Sequence, residues 1–167
     1  MALDMTSITR RVLAIGIAII GVIGGSASAA EHSAPYPGYL ERAQSRTLGK
    51  VRVAAAALSP AEATEVYGVP LAEQLIQPVW IEIENQEDVA YWLMFPGLDP
   101  NYFPASEAAE GMALADPGRR PAELDRRFRQ LAFRNPVSPG QTVSGFGLTD
   151  RHEGVKLLQI DLFADRR

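Results

Sequence analysis

The chain has 167 residues, with 16 Lys and Arg against 20 Asp and Glu, two histidines and no cysteine. That length holds one ordinary domain and little more. The missing cysteine excludes disulfides, thiolate chemistry, Cys-ligated zinc and lipidation on a cysteine, and a net charge of −4 speaks against general nucleic-acid binding.

In chain order, Arg10 and Arg11 precede a run from Val12 to Ile23 that has no charge and no polar side chain. The run matches the apolar core of an export signal and falls short of the roughly 20 residues that span a bilayer. Ala27-Ser28-Ala29 supplies the small-x-small site of signal peptidase, so residues 1–29 read as a signal peptide cut before Ala30. The product would be periplasmic or extracellular. The alternative is a retained anchor in the inner membrane, since Gly24 and Gly25 stretch the run far enough for a thinned bilayer. Thr9-Arg10-Arg11-Val12-Leu13 partly matches a twin-arginine signal, although the general secretory route is the preferred reading. Cleavage would remove Asp4, Arg10 and Arg11, leaving a net charge of −5.

Residues 30–46 carry Pro35, Pro37 and Gly38 without sustained periodicity and read as a flexible tether or an arm over the fold, with Tyr36, Tyr39 and Leu40 available to pin it. Residues 47–167 then form a single β-rich domain. Alternation predicts a strand over Leu48–Leu58, with Val51, Val53, Ala55 and Ala57 on one face and Lys50 and Arg52 opposite. Ser59-Pro60-Ala61-Glu62 opens a short helix that stops at Gly68. Leu75–Asn85 is the clearest strand, with Val79, Ile81 and Ile83 inward and Glu82 and Glu84 outward. Val89–Phe95 is apolar throughout, which predicts a strand buried on both faces and paired in a hairpin with the previous one. Pro96-Gly97 breaks it.

A short Ala-rich helix follows from Pro104 to about Leu114, and Asp116-Pro117-Gly118 is a turn. Pro121–Phe133 is the strongest helix, with Leu124, Phe128 and Leu131 in one stripe and acid-first pairs Glu123–Arg127 and Asp125–Arg129. Strands over Gln141–Thr149 and Val155–Phe163 close the chain. The fold class expected is mainly β, an antiparallel β-sandwich with two or three short inserted helices. The alternative is one antiparallel sheet with the 121–133 helix across it.

Ile76–Asn85, Leu98–Phe103 and Pro139–Phe146 together resemble a pattern found in uncharacterised exported bacterial proteins. More loosely, Val79-x-Ile81-x-Ile83-x-Asn85 followed by Pro139-Gly140-x-Thr142-x-x-Gly145 is similar to immunoglobulin-like domains of bacterial surface lipoproteins. The resemblance covers Val51 to Phe163 and implies a β-sandwich of the cell envelope with no assigned activity. The anchoring cysteine of the lipoproteins is missing, so no lipid anchor carries over.

Chemistry has little to work with. His32 lies in the tether and His152 in a turn, and no catalytic or phosphate-loop motif is present. Glu82 and Glu84 alternate on a solvent face, which explains them without catalysis. Asp99, Asn101 and Glu107 carry oxygen ligands of the kind calcium takes, but Asp99-Pro100-Asn101 is also an ordinary turn. No cofactor or metal is expected. Among the aromatics, which mostly read as core, Trp92 and Tyr102 are candidates for a binding site. Arg119, Arg120, Arg126, Arg127, Arg129 and Arg134 face only Glu123 and Asp125, a local +4 inside an exported chain that is otherwise at −9. Arg119, Arg120, Arg126 and Arg129 are therefore candidates for docking on an anionic membrane surface or an acidic envelope protein, against the alternative of a solvated helix face. The leading expectation is a non-enzymatic envelope domain that binds a protein partner or an anionic membrane surface. The rivals are a periplasmic hydrolase using Asp99 and Glu107 with a metal, and an accessory structural subunit of an envelope complex.

Overall fold

The computed structural model describes residues 9–20, 38–116, 118, 120–151 and 155–166. Its strands form two antiparallel sheets. The smaller runs β1 (Thr9–Ile20), β7 (Val155–Arg166), β5 (Trp92–Met94), and the larger runs β2 (Gln44–Leu48), β3 (Val51–Ala57), β4 (Ile76–Asn85), β6 (Thr142–Asp150). Five short helices interrupt them among the described residues: α1 (Gly38–Glu41), α2 (Pro60–Tyr67), α3 (Phe95–Leu98), α4 (Ala105–Ala115) and α5 (Pro121–Leu131).

Strand parity builds the core. Val51, Val53 and Ala55 of β3 and Val79, Ile81 and Ile83 of β4 meet Ile15, Ile17, Leu93, Leu158, Ile160, Leu162 and Ala164 of the smaller sheet in one apolar cluster. The opposite face of the larger sheet carries Ala56, Ile76, Trp80, Phe146 and Leu148. The helices cover it with Tyr39, Tyr67, Met112, Leu124 and Phe128. The chain is thus mainly β, with two antiparallel sheets and several short helices.

Local chemistry sets the helix ends. Ser59 Oγ accepts from the Glu62 amide while the Glu62 carboxylate accepts from the Ser59 amide, a closed capping box, and Gly68 ends α2 at φ 74°. On α5, Leu124 and Phe128 are buried and Leu131 half-buried, so the predicted stripe is the packed face, although the helix stops at Leu131, short of Phe133. Beyond it the chain lies so close to β6 that a Cβ on Gly145 would sit 2.5 Å from Phe133 Cα and 2.6 Å from Phe133 N. Only glycine fits there.

Three expectations need correction. The strand expected over Leu48–Leu58 is two strands, because Gly49 at φ 62° turns the chain and pairs Leu48 with Val51, placing Lys50 in the turn. The strand expected over Val89–Phe95 contracts to Trp92–Met94, which pairs with β7 and not with β4. Both sides of β4 are taken by β3 and β6. Asn85 diverts the following turn by donating to the Val89 and Val137 carbonyls and accepting from the Glu87 amide. Trp92 and Met94 are consequently exposed while Tyr91 and Leu93 are buried. Pro96 and Gly97 lie inside α3, where proline suits the first turn.

Part of the segment read as a tether or arm is folded down: Tyr39 is buried, and Arg42 grips Glu62 with two hydrogen bonds of 3.0 and 2.7 Å. Residues 30–37 lie outside the described residues. Residues 12–20 of the apolar run read as the core of an export signal take part in this fold as β1, and residues 21–23 lie outside the described residues. The strand alternates bulky Leu13, Ile15 and Ile17 with small Ala14, Gly16 and Ala18, a period of two that suits a strand as well as a signal core. Ile15 and Ile17 face the core, and all twelve residues pair with β7, from Thr9 opposite Arg166 to Ile20 opposite Val155.

Candidate functional site

A polar group buried away from water costs free energy unless it is paired. Asp99, Thr149 and Lys156 lie together under the end of β6. The Lys156 ammonium donates to Thr149 Oγ1 at 2.6 Å, to the Asp150 carbonyl, and to Asp99 Oδ2 at 3.5 Å. Those three acceptors match its three N–H groups. Asp99 also accepts from the Asn101 and Asp150 amides. Burial pulls the Lys156 ammonium below its ordinary range, and the Asp99 carboxylate opposes that pull.

A lysine on a threonine hydroxyl has the form of an activated nucleophile, but Thr149 is fully buried and its own proton goes to the Gln77 carbonyl at 2.9 Å. The cluster therefore holds β6, β7 and the Asp99 turn together. Of the residues considered for calcium, Asp99 contacts Lys156, Asn101 Nδ2 donates to Asp150 at 3.1 Å, and Glu107 lies exposed on α4. Among the described residues no group of three His, Asp or Glu side chains is placed to hold a metal. Both His32 and His152 lie outside the described residues. A cavity of about 10 Å³ beside Gln77, whose buried Oε1 has no partner among the described residues, has room for about one water.

The arginine segment is exposed and only partly neutralised. Arg129 pairs with Asp125 at 2.9 Å as its spacing predicts, whereas Glu123 takes Arg120 at 3.1 Å instead of Arg127. Arg127 reaches across to the Val66 carbonyl and fastens α5 to α2. Arg126 and Arg134 are exposed, and neither has an ion pair among the described residues. Arg119 lies outside them. Near the other end of this segment, Leu114 at the end of α4 is 77 % exposed, with α4 packed along α5.

Trp92 and Tyr102 do not join the arginines. Tyr102 is half-buried and stacked on Phe95 at 5.7 Å. Trp92 lies on β5 in the smaller sheet, on the face turned away from the shared core, whereas α5 covers the far side of the larger sheet. That outer face of the smaller sheet was not anticipated. It carries exposed Trp92, Met94 and Leu157 beside the small residues Ala14, Gly16 and Ala18, and a Cβ on Gly16 would meet nothing within 4 Å. The odd positions of Val155–Phe163 held the signal, since Leu157 falls opposite in parity to Leu158, Ile160 and Leu162.

Two sheet edges are closed by neighbouring chain. At β5, Tyr91 and Val137 exchange backbone hydrogen bonds of 3.0 and 2.8 Å, and Asn135 both accepts from the Leu93 amide and donates to its carbonyl. At β6, Phe103 and Phe133 donate to the Leu148 and Phe146 carbonyls. Among the described residues no helix is long and apolar enough to cross a membrane. No family model, no curated protein and no solved structure matches this chain.

Proposed function

We propose that this chain is a non-enzymatic domain of the bacterial cell envelope, an immunoglobulin-like β-sandwich that docks on an anionic membrane surface through the α5 segment. The observation that carries the reading is the pair of exposed arginines, Arg126 and Arg134, that have no ion pair among the described residues of an otherwise acidic chain. The apolar stripe of α5 is already packed on the larger sheet, so its charged side is left to meet something outside the molecule. Exposed Leu114 adds an apolar contact of the kind that accompanies basic residues at a lipid interface. Two sheets sharing one core support the sandwich, and the Ala27-Ser28-Ala29 site behind an apolar run supports export to the periplasm or beyond.

The test replaces Arg119, Arg120, Arg126 and Arg134 by Ser and measures sedimentation with vesicles of phosphatidylglycerol. The melting curve should stay almost unchanged while vesicle binding weakens. Wild-type binding should fall as salt rises. A variant that binds vesicles like the wild type overturns the membrane reading. Wild-type binding to an acidic envelope protein but not to vesicles would assign the face to a protein partner.

A further inference from the structure

Resting on the export reading, we propose that β7 is a strand acceptor. Once residues 1–29 are removed, its vacated edge binds an extended aliphatic segment of another envelope protein by β-augmentation.

The structure shows what that edge requires, because β1 is seated on it. Pairing runs the full twelve residues of β7, and about half of them turn their amide and carbonyl toward β1, as in any antiparallel ladder. Leu158, Ile160, Leu162 and Ala164 are buried completely, and Ile15 and Ile17 complete the core beside them, with Leu13 packed against it. Taking β1 away exposes a row of unpaired backbone groups and opens a slot into the core that both sheets share. Such an edge is a template for another strand. The edges at β5 and β6 are closed by residues 135–137, 103 and 133, which all remain after cleavage. The edge of β7 alone among these three is closed by a segment that carries its own removal site.

The occupant is defined by the same contacts. It is an extended segment with bulky aliphatic side chains at three alternate positions, in the places of Leu13, Ile15 and Ile17. The intervening positions point outward, where open space beyond Gly16 accepts larger side chains. The edge strand β2 of a second copy does not supply it, since Gln44-Ser45-Arg46-Thr47-Leu48 has no aliphatic alternation. Pairing of two vacated β7 edges, which do carry Leu158, Ile160 and Leu162 at alternate positions, is the competing outcome that the test reads.

The experiment uses the full chain with a specific protease site placed between Ala29 and Ala30, and a fluorescent peptide of residues 9–20 as the probe. After cutting, the labelled peptide should exchange into the domain and raise its melting temperature. The same peptide with Ile15→Asp and Ile17→Asp should bind at least about a hundredfold more weakly, because two carboxylates would enter an apolar slot. The uncut full chain carrying Ile15→Asp and Ile17→Asp should regain wild-type thermal stability when the unmodified peptide is added, which guards against a cut product that does not hold its fold.

A cut domain that stays monomeric, protects its β7 amides from hydrogen exchange and ignores the peptide overturns the proposal. So does failure of the peptide to rescue the uncut variant, or self-association of the cut domain in place of peptide uptake. N-terminal sequencing of the natural protein reads the export premise separately. A start at Ala30 with no peptide uptake sinks the acceptor alone, and a start at Met1 makes β1 a permanent strand and sinks both.

Discussion

Gly145→Ala is the sharpest probe of how the end of α5 meets β6. The added methyl would lie 2.5 Å from Phe133 Cα, 2.6 Å from Phe133 N and 3.0 Å from the Ala132 carbonyl carbon. All three are backbone atoms, so no side chain can rotate aside. Relief requires residues 132–133 to move off the strand, which strains or breaks the 3.0 Å bond from the Phe133 amide to the Phe146 carbonyl. Overpacking of this kind costs about 1–3 kcal/mol, and a lost backbone hydrogen bond about 0.5–1.5 kcal/mol more. Stiffening of the unfolded chain returns about 0.4–1 kcal/mol. The net expectation is a loss of about 0.5–4 kcal/mol. Gly111→Ala is the control, since it sits inside α4 with nothing within 4 Å of the new methyl and should stabilise by up to about 1 kcal/mol. Urea melts of both variants read the difference directly. Equal midpoints for the two alanine variants would refute the close approach of Phe133 to β6.

Ile81→Ala should lose about 2–5 kcal/mol in a denaturant melt, because Ile81 is fully buried between the sheets. Glu82→Ala, which gives up only a partly exposed 3.3 Å pair with Arg52, should lose less than about 1 kcal/mol. The depressed Lys156 ammonium means that the unfolded chain binds more protons than the folded one between its folded pKa and 10.5, so stability carried by this group rises with pH across that window. Lys156→Met should abolish the rise in melts taken from neutral to alkaline pH. Asp99→Asn, which leaves the buried ammonium without its counter-charge, should cost about 3–5 kcal/mol at neutral pH and start the rise at a lower pH. For Glu62, burial pushes the carboxyl up, but the hydrogen bonds from Arg42 and Ser59 outweigh it and hold the group below its ordinary value. Its contribution is therefore present above the unfolded pKa and lost as pH falls through the folded one. Glu62→Gln should melt below wild type by no more than about 1 kcal/mol at neutral pH, with the gap closing in acid.

Where one short-range rule governs, the sequence was legible. Ser59 and Glu62 form the capping box that their spacing announces, Val79, Ile81 and Ile83 face the core, and Leu124 and Phe128 mark the packed side of α5. Val89–Phe95 misled because an unbroken apolar run has no parity, so nothing local says that Trp92 and Met94 point out. Its pairing with β7 spans about seventy residues and leaves no mark in either strand. The Asp99–Lys156 contact is equally remote, yet Lys156 shares the inward parity of Leu158 and Ile160, and a charge on that side of a strand was the available clue. Gly49 was another, lying where the strand expected over Leu48–Leu58 folds back. Of the candidate site, the exposure of Arg126 and Arg129 followed from the stripe, but the diversion of Arg127 to Val66 depends on where α2 lies.

The asparagine at position 135 has a consequence for how this molecule can associate. Its side-chain amide offers the same donor and acceptor as a peptide group, so it adds one rung beside Leu93 without adding a strand. With Val137 completing the seal, the smaller sheet is blunt on its β5 side and can lengthen only on the other. A ladder with one live end accepts a single addition per molecule, because the next copy finds no matching end to continue from. Among the described residues, edge-to-edge growth within the smaller sheet alone is thereby held to a single addition, and any longer array would have to recruit the exposed edge strand β2 of the larger sheet.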